Sequence, residues 1–302
     1  MTTPDANTTT PGAAPDSRGA APDSRGTPGQ QFVAALAQAG GSGDLTVAID
    51  AHLPGAFPLF ASRPRYPVRH LLNIASVDSD GPAAYVYEPS AQRREDAGTT
   101  YDATPEATFL PELREAELSD LTVSVSLPPT ILDRAALLTA FIDRRVLVRT
   151  ATMENQVLLR GSEDGKVPGL LALPGMRRRE SGRSLDEAVT AVAFEVEETG
   201  GSCDGIVAHP AVYWEMVRQG LLARLGVAGV VVSRTRMIAR NTMLLGDFQA
   251  AVTLLLPHVN ELSLRRGAGA GGEDVIQART RLGLAVHVPQ HLIELTWNGS
   301  GS

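Results

Sequence analysis

Cysteine occurs once in the 302 residues, at Cys203, so no disulfide can form within one chain, and this usage fits a reducing cytosol. Lysine also occurs once, at Lys166, every other basic side chain being arginine, so lysine-dependent chemistry has a single candidate. No apolar run approaches the ~20 residues needed to cross a bilayer. The first thirty residues lack the charged start and apolar run of a signal peptide. The expectation is a soluble cytoplasmic protein with no membrane partner. An excess of positive charge is missing as well: 27 basic against 34 acidic side chains give −7, which argues against a strongly basic nucleic-acid binder and leaves only local basic patches.

The signatures of catalysis are equally sparse. Gly161 to Val167 approaches a phosphate-binding loop, but the glycine spacing is one residue short and Val167 stands where a Mg²⁺-binding hydroxyl is needed, so an exposed turn is the better reading. One cysteine and six scattered histidines offer no zinc spacing. His287 and His291 are separated by Pro289 in a strand context, which favours structural roles, and His209 before Pro210 reads as a helix-entry residue. Neither a nucleophile elbow nor a dinucleotide fingerprint is present. No cofactor, metal or catalytic residue is expected.

What is there is 43% hydrophobic sequence, ample for a packed core, with a distinct order of elements. Residues 1–30 are rich in Thr, Pro, Gly, Ala and Asp, and AAPDSRG at 13–19 recurs at 20–26; such a segment cannot offset its ordering entropy and is expected to be a disordered arm. Prolines 54, 58, 64 and 67 predict an extended arm over 31–82. The β-rich run 83–88, containing Tyr85, Tyr87 and Glu88, and a second run near 107–113 predict a long hairpin. From Glu88 to Glu117 that hairpin holds eight acidic and three basic side chains and few large apolar ones, so its natural use is to lie on a neighbour.

Alternation over 121–127 predicts a strand ended by Pro128 and Pro129. Thr130 with Asp133 predicts the cap of a spine helix that runs to about Arg160, on an apolar face of Ile131, Ala135, Leu138, Ile142, Val146, Met153 and Val157. A compact region follows. It holds a helix capped by Ser184 and Glu187 and ended at Gly200, a helix opened by Pro210, and strands at 227–233, 242–248 and 250–256. Gly267 to Gly272 reads as a flexible loop, 276–288 as a long half-exposed strand, and 298–302 as a flexible tail. Arg177, Arg178 and Arg179 form the strongest cationic cluster, either a solvated loop or a contact for an acidic surface of another subunit.

This order resembles the Hong Kong 97-type major capsid proteins of tailed phages, a fold shared by the encapsulin shell proteins. The likeness is carried by LTVSVSLPPTILDRAALLTAFIDRRVLVRTATMENQVLLRGSEDGKVPGLL, DGIVAHPAVYWEMVR, GVVVSRTRMIARNTMLLGDFQAAVTLL and RTRLGLAVHVPQHLIEL, and spans about Thr46 to Thr296. It implies an α+β chain with a peripheral domain formed by 31–82, 116–165 and the closing strands of 273–297. It further implies an extended loop over 83–115 that overlaps a neighbour, and an axial domain over 166–272.

Function by resemblance is self-assembly of ~60 or more copies into an icosahedral shell without enzymatic activity. The Pro-Gly-rich start does not suit a helical scaffolding segment, which favours an encapsulin nanocompartment around cargo enzymes over a phage or prophage capsid packaging DNA. A soluble α/β enzyme using His209 is the third reading. Residues 83–115 contain no lysine for the covalent cross-links of some phage capsids, so non-covalent contacts are expected. The expected assembly residues are Tyr85, Tyr87 and Glu88 on the hairpin, with Arg177, Arg178 and Arg179 as complementary charges.

Overall fold

Alternating apolar and polar side chains from Val275 to Val286 make a twelve-residue strand, β14, around which one sheet is laid. The structure, a computed structural model, describes residues 26–40, 43–56, 68–78, 81–89, 92–93, 107–108 and 110–299. Along one edge β14 pairs with β7 (Leu118–Ser126); along the other it pairs first with β13 (Asn260–Arg265), then with β12 (Val252–Pro257), all antiparallel. β1 (Leu45–Ala48) adds beyond β13 and β2 (Asn73–Val77) pairs in parallel with β12, completing six strands. Helix α1 (Pro28–Gln38) and a helical spine pack on this sheet, with Phe32, Leu138, Ile142, Leu147 and Leu158 fully buried beside Leu262, Ile276 and Leu282.

A second sheet has the order β10 (Val231–Arg234), β9 (Gly205–Ala208), β11 (Thr242–Gly246), β15 (Leu292–Trp297), β8 (Arg177–Ser181). α4 (Leu185–Glu197), α5 (Pro210–Arg218) and α6 (Leu221–Val227) cover it through a separate apolar cluster that includes Leu185, Val192, Ile206, Met216 and Leu245. A hairpin of β3 (Ala83–Tyr87) and β6 (Glu112–Ala116) leaves the first sheet, continued by the short pair β4 (Gln92–Arg93) and β5 (Ala107–Thr108).

The spine departs from its expected form in an informative way. Thr130 is left-handed, with φ 61°, and caps nothing; a 3-10 turn follows over Ile131–Asp133, and α2 begins only at Ala135 (Ala135–Phe141). A π turn at Ile142–Val146 joins it to α3 (Leu147–Arg160). A π turn adds one residue to its turn, so the buried face advances by one position. Beyond it the core takes Leu147, Ala151 and Leu158 while Met153 and Val157, expected inside, are only partly buried. The same turn directs Asp143 inward, where its carboxylate accepts from the Thr27 hydroxyl at 2.6 Å and the Gly29 amide at 2.8 Å at the start of α1. An anion there satisfies free amides and complements the helix dipole. Gly161, with φ 90°, ends α3, and a side chain at Gly169 would strike the Arg160 backbone at 2.3 Å.

Four further expectations change. The stretch from Thr27 is a helix with a Thr27–Gln30 capping box, not part of a low-complexity or extended arm; residues 1–25 lie outside those described. The strand expected at 227–233 is the end of α6 followed by β10, because Gly229, with φ 85°, turns the chain before the β-branched run can extend. Between β11 and the next strand, Asp247 caps the short α7 (Phe248–Ala251), through which the chain crosses to the six-stranded sheet. Hence β12 and β13, expected with the axial region, join the six-stranded sheet, and β15, expected among the peripheral strands, joins the five-stranded one. Alternation identifies a strand without identifying its neighbours.

Replacing Asp143 with Ala should lower stability by about 1.5–3 kcal/mol in denaturant titration, the usual worth of hydrogen bonds to a charged group, with exchange rising first in α1.

Candidate assembly surface

The two faces of the β3–β6 hairpin differ because register puts different pairs on each. Tyr85 lies opposite Arg114 and Tyr87 opposite Glu112 on one face; Val86 lies opposite Leu113 and Ala84 opposite Glu115 on the other. The tyrosine face turns toward its own subunit. Tyr85 meets the His287 ring edge-on at 5.6 Å, and Ala83, Ala116, Leu118 and Ala285 form a small cluster beneath it. That cluster covers the second half of β14, which is why the strand expected to be half-exposed is buried on both faces beyond Arg281. Arg114 stacks on Tyr87 at 3.4 Å and holds Glu112 through Nε at 3.0 Å.

His287 fixes the hairpin root. Its Nδ1–H donates to the Val86 carbonyl at 2.8 Å, since a carbonyl can only accept. Nε2 then accepts from the Thr253 hydroxyl at 3.0 Å, while the His287 carbonyl accepts from the Glu88 amide at 2.8 Å. The opposite face is left to solvent, Val86 being 48% exposed and Leu113 79%, and Leu110 just before β6 is 70% exposed. Glu88 and Leu110 also line a small cavity of ≈ 150 Å³ with Pro89 and Pro111. An apolar ridge ringed by Glu88, Glu115 and Glu117 therefore projects on a rigid root.

The arginine cluster expected as a loop is the edge strand β8. Arg177 reaches Glu195 at 3.1 Å, Arg179 binds the same carboxylate, and Arg178 pairs with Glu294 at 3.0 Å. These charges are thus neutralised within one subunit, and three arginines on an edge also discourage further strand pairing.

Another set, missed in the sequence, stays free. Arg134, Arg144, Arg145 and Arg149 lie along the exposed side of the spine, and no acidic side chain among the described residues pairs with them. The two acids of α3 and the π turn, Glu154 and Asp143, both point inward. Beside this stripe Pro129, Ile131, Arg134, Leu137, Phe141 and Arg144 line an open groove of ≈ 480 Å³. The missed signal is readable: once the π turn is allowed for, every acid from Ala135 to Arg160 falls on the buried face and most arginines fall on the other.

The remaining candidates have local duties. His209 caps α5 by accepting the Ala211 amide at 3.0 Å, and His291 donates to the Thr199 carbonyl at 3.1 Å. Asp164 closes the Gly161–Val167 turn, its carboxyl held below the usual range chiefly by the Ser162 hydroxyl. Burial pushes the Cys203 thiol up to about 12. Among the described residues no group of three His, Cys, Asp or Glu could hold a metal, and no helix is long and apolar enough to cross a membrane. A second exposed apolar set, Trp214 and Val217 on α5 with Val231 on the edge strand β10, lies on the five-stranded unit, where Arg234 stacks on Tyr213 and Trp214 at 4.5 and 5.0 Å.

No family model matches the chain, and no curated protein matches it. Solved structures do. The capsid of a native GTA particle aligns with 14% identity and a TM-score of 0.56, over 78% of this chain and 90% of that one. A structure from Mycobacterium phage Adephagia aligns with 12% identity and a TM-score of 0.55, over 78% and 91%. The virus-like particle from Pyrococcus furiosus aligns with 14% identity and a TM-score of 0.51, over 80% and 97%. The chain has the α+β Hong Kong 97-type capsid fold.

If His287 is the clamp of the hairpin root, His287→Ala should raise amide exchange in Ala83–Tyr87 roughly tenfold, the worth of about one lost hydrogen bond, and leave α4 unchanged.

Proposed function

We propose that this chain is a structural shell protein, many copies of which assemble into a closed icosahedral compartment of the encapsulin kind around cargo enzyme, with no chemistry of its own. The observation that carries this reading is complementarity on a capsid fold: a rigid acidic hairpin presents Val86, Leu110 and Leu113, and the spine presents an apolar groove edged by unpaired arginines. One subunit cannot satisfy both, since the tyrosine face of its hairpin is already committed to His287 and the β14 sheet. Docking each hairpin, with Glu88 at its exposed root, in the groove of the next copy gives a head-to-tail contact, which closes into rings and shells when repeated. Arg177, Arg178 and Arg179 join such a contact only by exchanging Glu195 and Glu294 for a neighbour's acids. The Trp214, Val217 and Val231 patch supplies a second contact around the shell's symmetry axes.

The GTA and phage likenesses support a second reading, a phage or prophage capsid that packages DNA.

Leu113→Asp, or Arg144→Glu with Arg145→Glu, should abolish particles in size-exclusion chromatography while changing subunit stability by no more than ~0.5 kcal/mol, as expected of exposed sites. Adding Glu88→Arg and Glu115→Arg to the arginine double variant should restore part of the yield. Undiminished particles from Leu113→Asp would remove the hairpin from the contact. Denaturing gels should show only the 31.9 kDa chain, because the hairpin has no lysine to cross-link.

A further inference from the structure

Glu154 is a carboxylate that assembly does not use. It is 1% exposed, and one of its oxygens, Oε2, meets both His52 Nε2 at 2.7 Å and an Arg69 guanidinium nitrogen at 3.4 Å. His52 follows β1, and Arg69 opens the 3-10 turn Arg69–Leu71 before β2, so one oxygen of the spine gathers two stretches that are remote in sequence. On its other side the His52 ring faces a chain of neutral groups. Nδ1 is 3.3 Å from the Thr280 hydroxyl, which is 2.7 Å from Asn260 Oδ1, and that oxygen also accepts the Leu53 amide at 3.2 Å.

We propose that His52, Glu154 and Arg69 form a proton-operated latch, holding Leu45–Gly55 and the Arg69–Leu71 turn on the spine helix and loosening as pH falls. The hydrogen-bond pattern distinguishes two states. Asn260 Oδ1 only accepts, so the single Thr280 hydroxyl hydrogen belongs to it, and the Thr280 oxygen presents lone pairs to His52 Nδ1. A protonated ring completes this chain by donating from Nδ1, but places a second cation beside Arg69 in a buried site. A neutral ring keeps its Nε2–H on Glu154 and leaves Nδ1 facing lone pairs. Each state satisfies one demand and offends the other, and the balance is set by charge and burial. Glu154 from α3 and Arg69 from the 3-10 turn are the charged groups that face the ring; β13 and β14 contribute the uncharged Asn260 and Thr280.

Burial dominates and holds the His52 pKa below its ordinary 6.5; Glu154 draws it back up and Arg69 pushes it further down. A group whose folded value is depressed contributes stability that is fully present above the unfolded value and lost as pH falls through the folded one. Below 6.5 the free segment therefore binds the proton more readily than the docked one, and acid favours release. The latch does not rest on the shell reading, and it is read on assembled or dispersed protein alike.

Hydrogen exchange of the full chain at about pH 7.5 and about pH 5.5, corrected for intrinsic rates, tests it across the range where histidine titrates. The expected result is a loss of protection in 45–55 relative to Leu185–Glu197 of α4, up to about tenfold, the most that linkage allows at a pH one unit below the ordinary 6.5. In His52→Gln, whose amide donates to Glu154 but does not titrate, that differential loss should vanish. A wild-type chain that loses no more protection in 45–55 than in α4, or a variant that keeps the pH dependence, overturns the latch. The comparison within the wild-type chain decides the matter even if the variant does not fold.

Discussion

The spine can lie on the six-stranded sheet only because its two carboxylates find donors inside. A buried carboxylate without partners costs several kcal/mol, more than a small apolar contact returns. Asp143 takes the free amide and hydroxyl at the start of α1, and Glu154 takes His52 and Arg69. These two side chains therefore fasten α1, the segment after β1 and the turn before β2 to one helix. The π turn sets the heading of the second: an unbroken α-helix would rotate the residues beyond Val146, Glu154 among them, by about 100° for each position of slip. Sinking both acids has an external effect too, since the exposed side of the helix retains arginine with no paired acid among the described residues.

At the surface, the hairpin ridge and the arginine-edged groove are both left uncovered by their own subunit. The hairpin is pinned by His287, Tyr85 and the Ala285 cluster, so it cannot fold back to cover Val86 and Leu113. Exposed leucines on a projecting ribbon are a liability for an isolated chain and a natural feature of one that is covered by a neighbour. The arginines of β8 show the contrast: where acids are near in the same subunit, as at Glu195 and Glu294, the charges are spent locally.

Much of the fold was legible where local chemistry alone decides. The Ser184–Glu187 box, Pro210 as first helical residue and the alternation of β7 and of the first half of β14 appear as read. The failures came where tertiary contacts decide. Thr130 has the right residue type for a cap but sits in the left-handed region, with φ 61°, and its side chain caps nothing. The π turn is invisible to a fixed period and displaced the apolar face by one residue. Prolines at 54 and 58 suggested an extended arm and hid the short, well-capped α1 upstream. At the candidate site the hairpin was readable from composition, yet which face it presents depends on register. Tyr85 and Tyr87, expected as assembly residues, face their own subunit; Val86 and Leu113 are the side chains that point outward.

On the proposed reading, copies of this chain close into a shell through the hairpin and the spine groove. Electron microscopy of the protein expressed alone tests it most directly. Uniform hollow particles of ~60 or more copies of the 31.9 kDa chain, roughly 1.9 MDa at the least, are expected, each hairpin lying along the arginine-edged groove of an adjacent copy. A monodisperse monomer or dimer, or particles in which the groove is empty and the ridge of Val86 and Leu113 faces solvent, would contradict it.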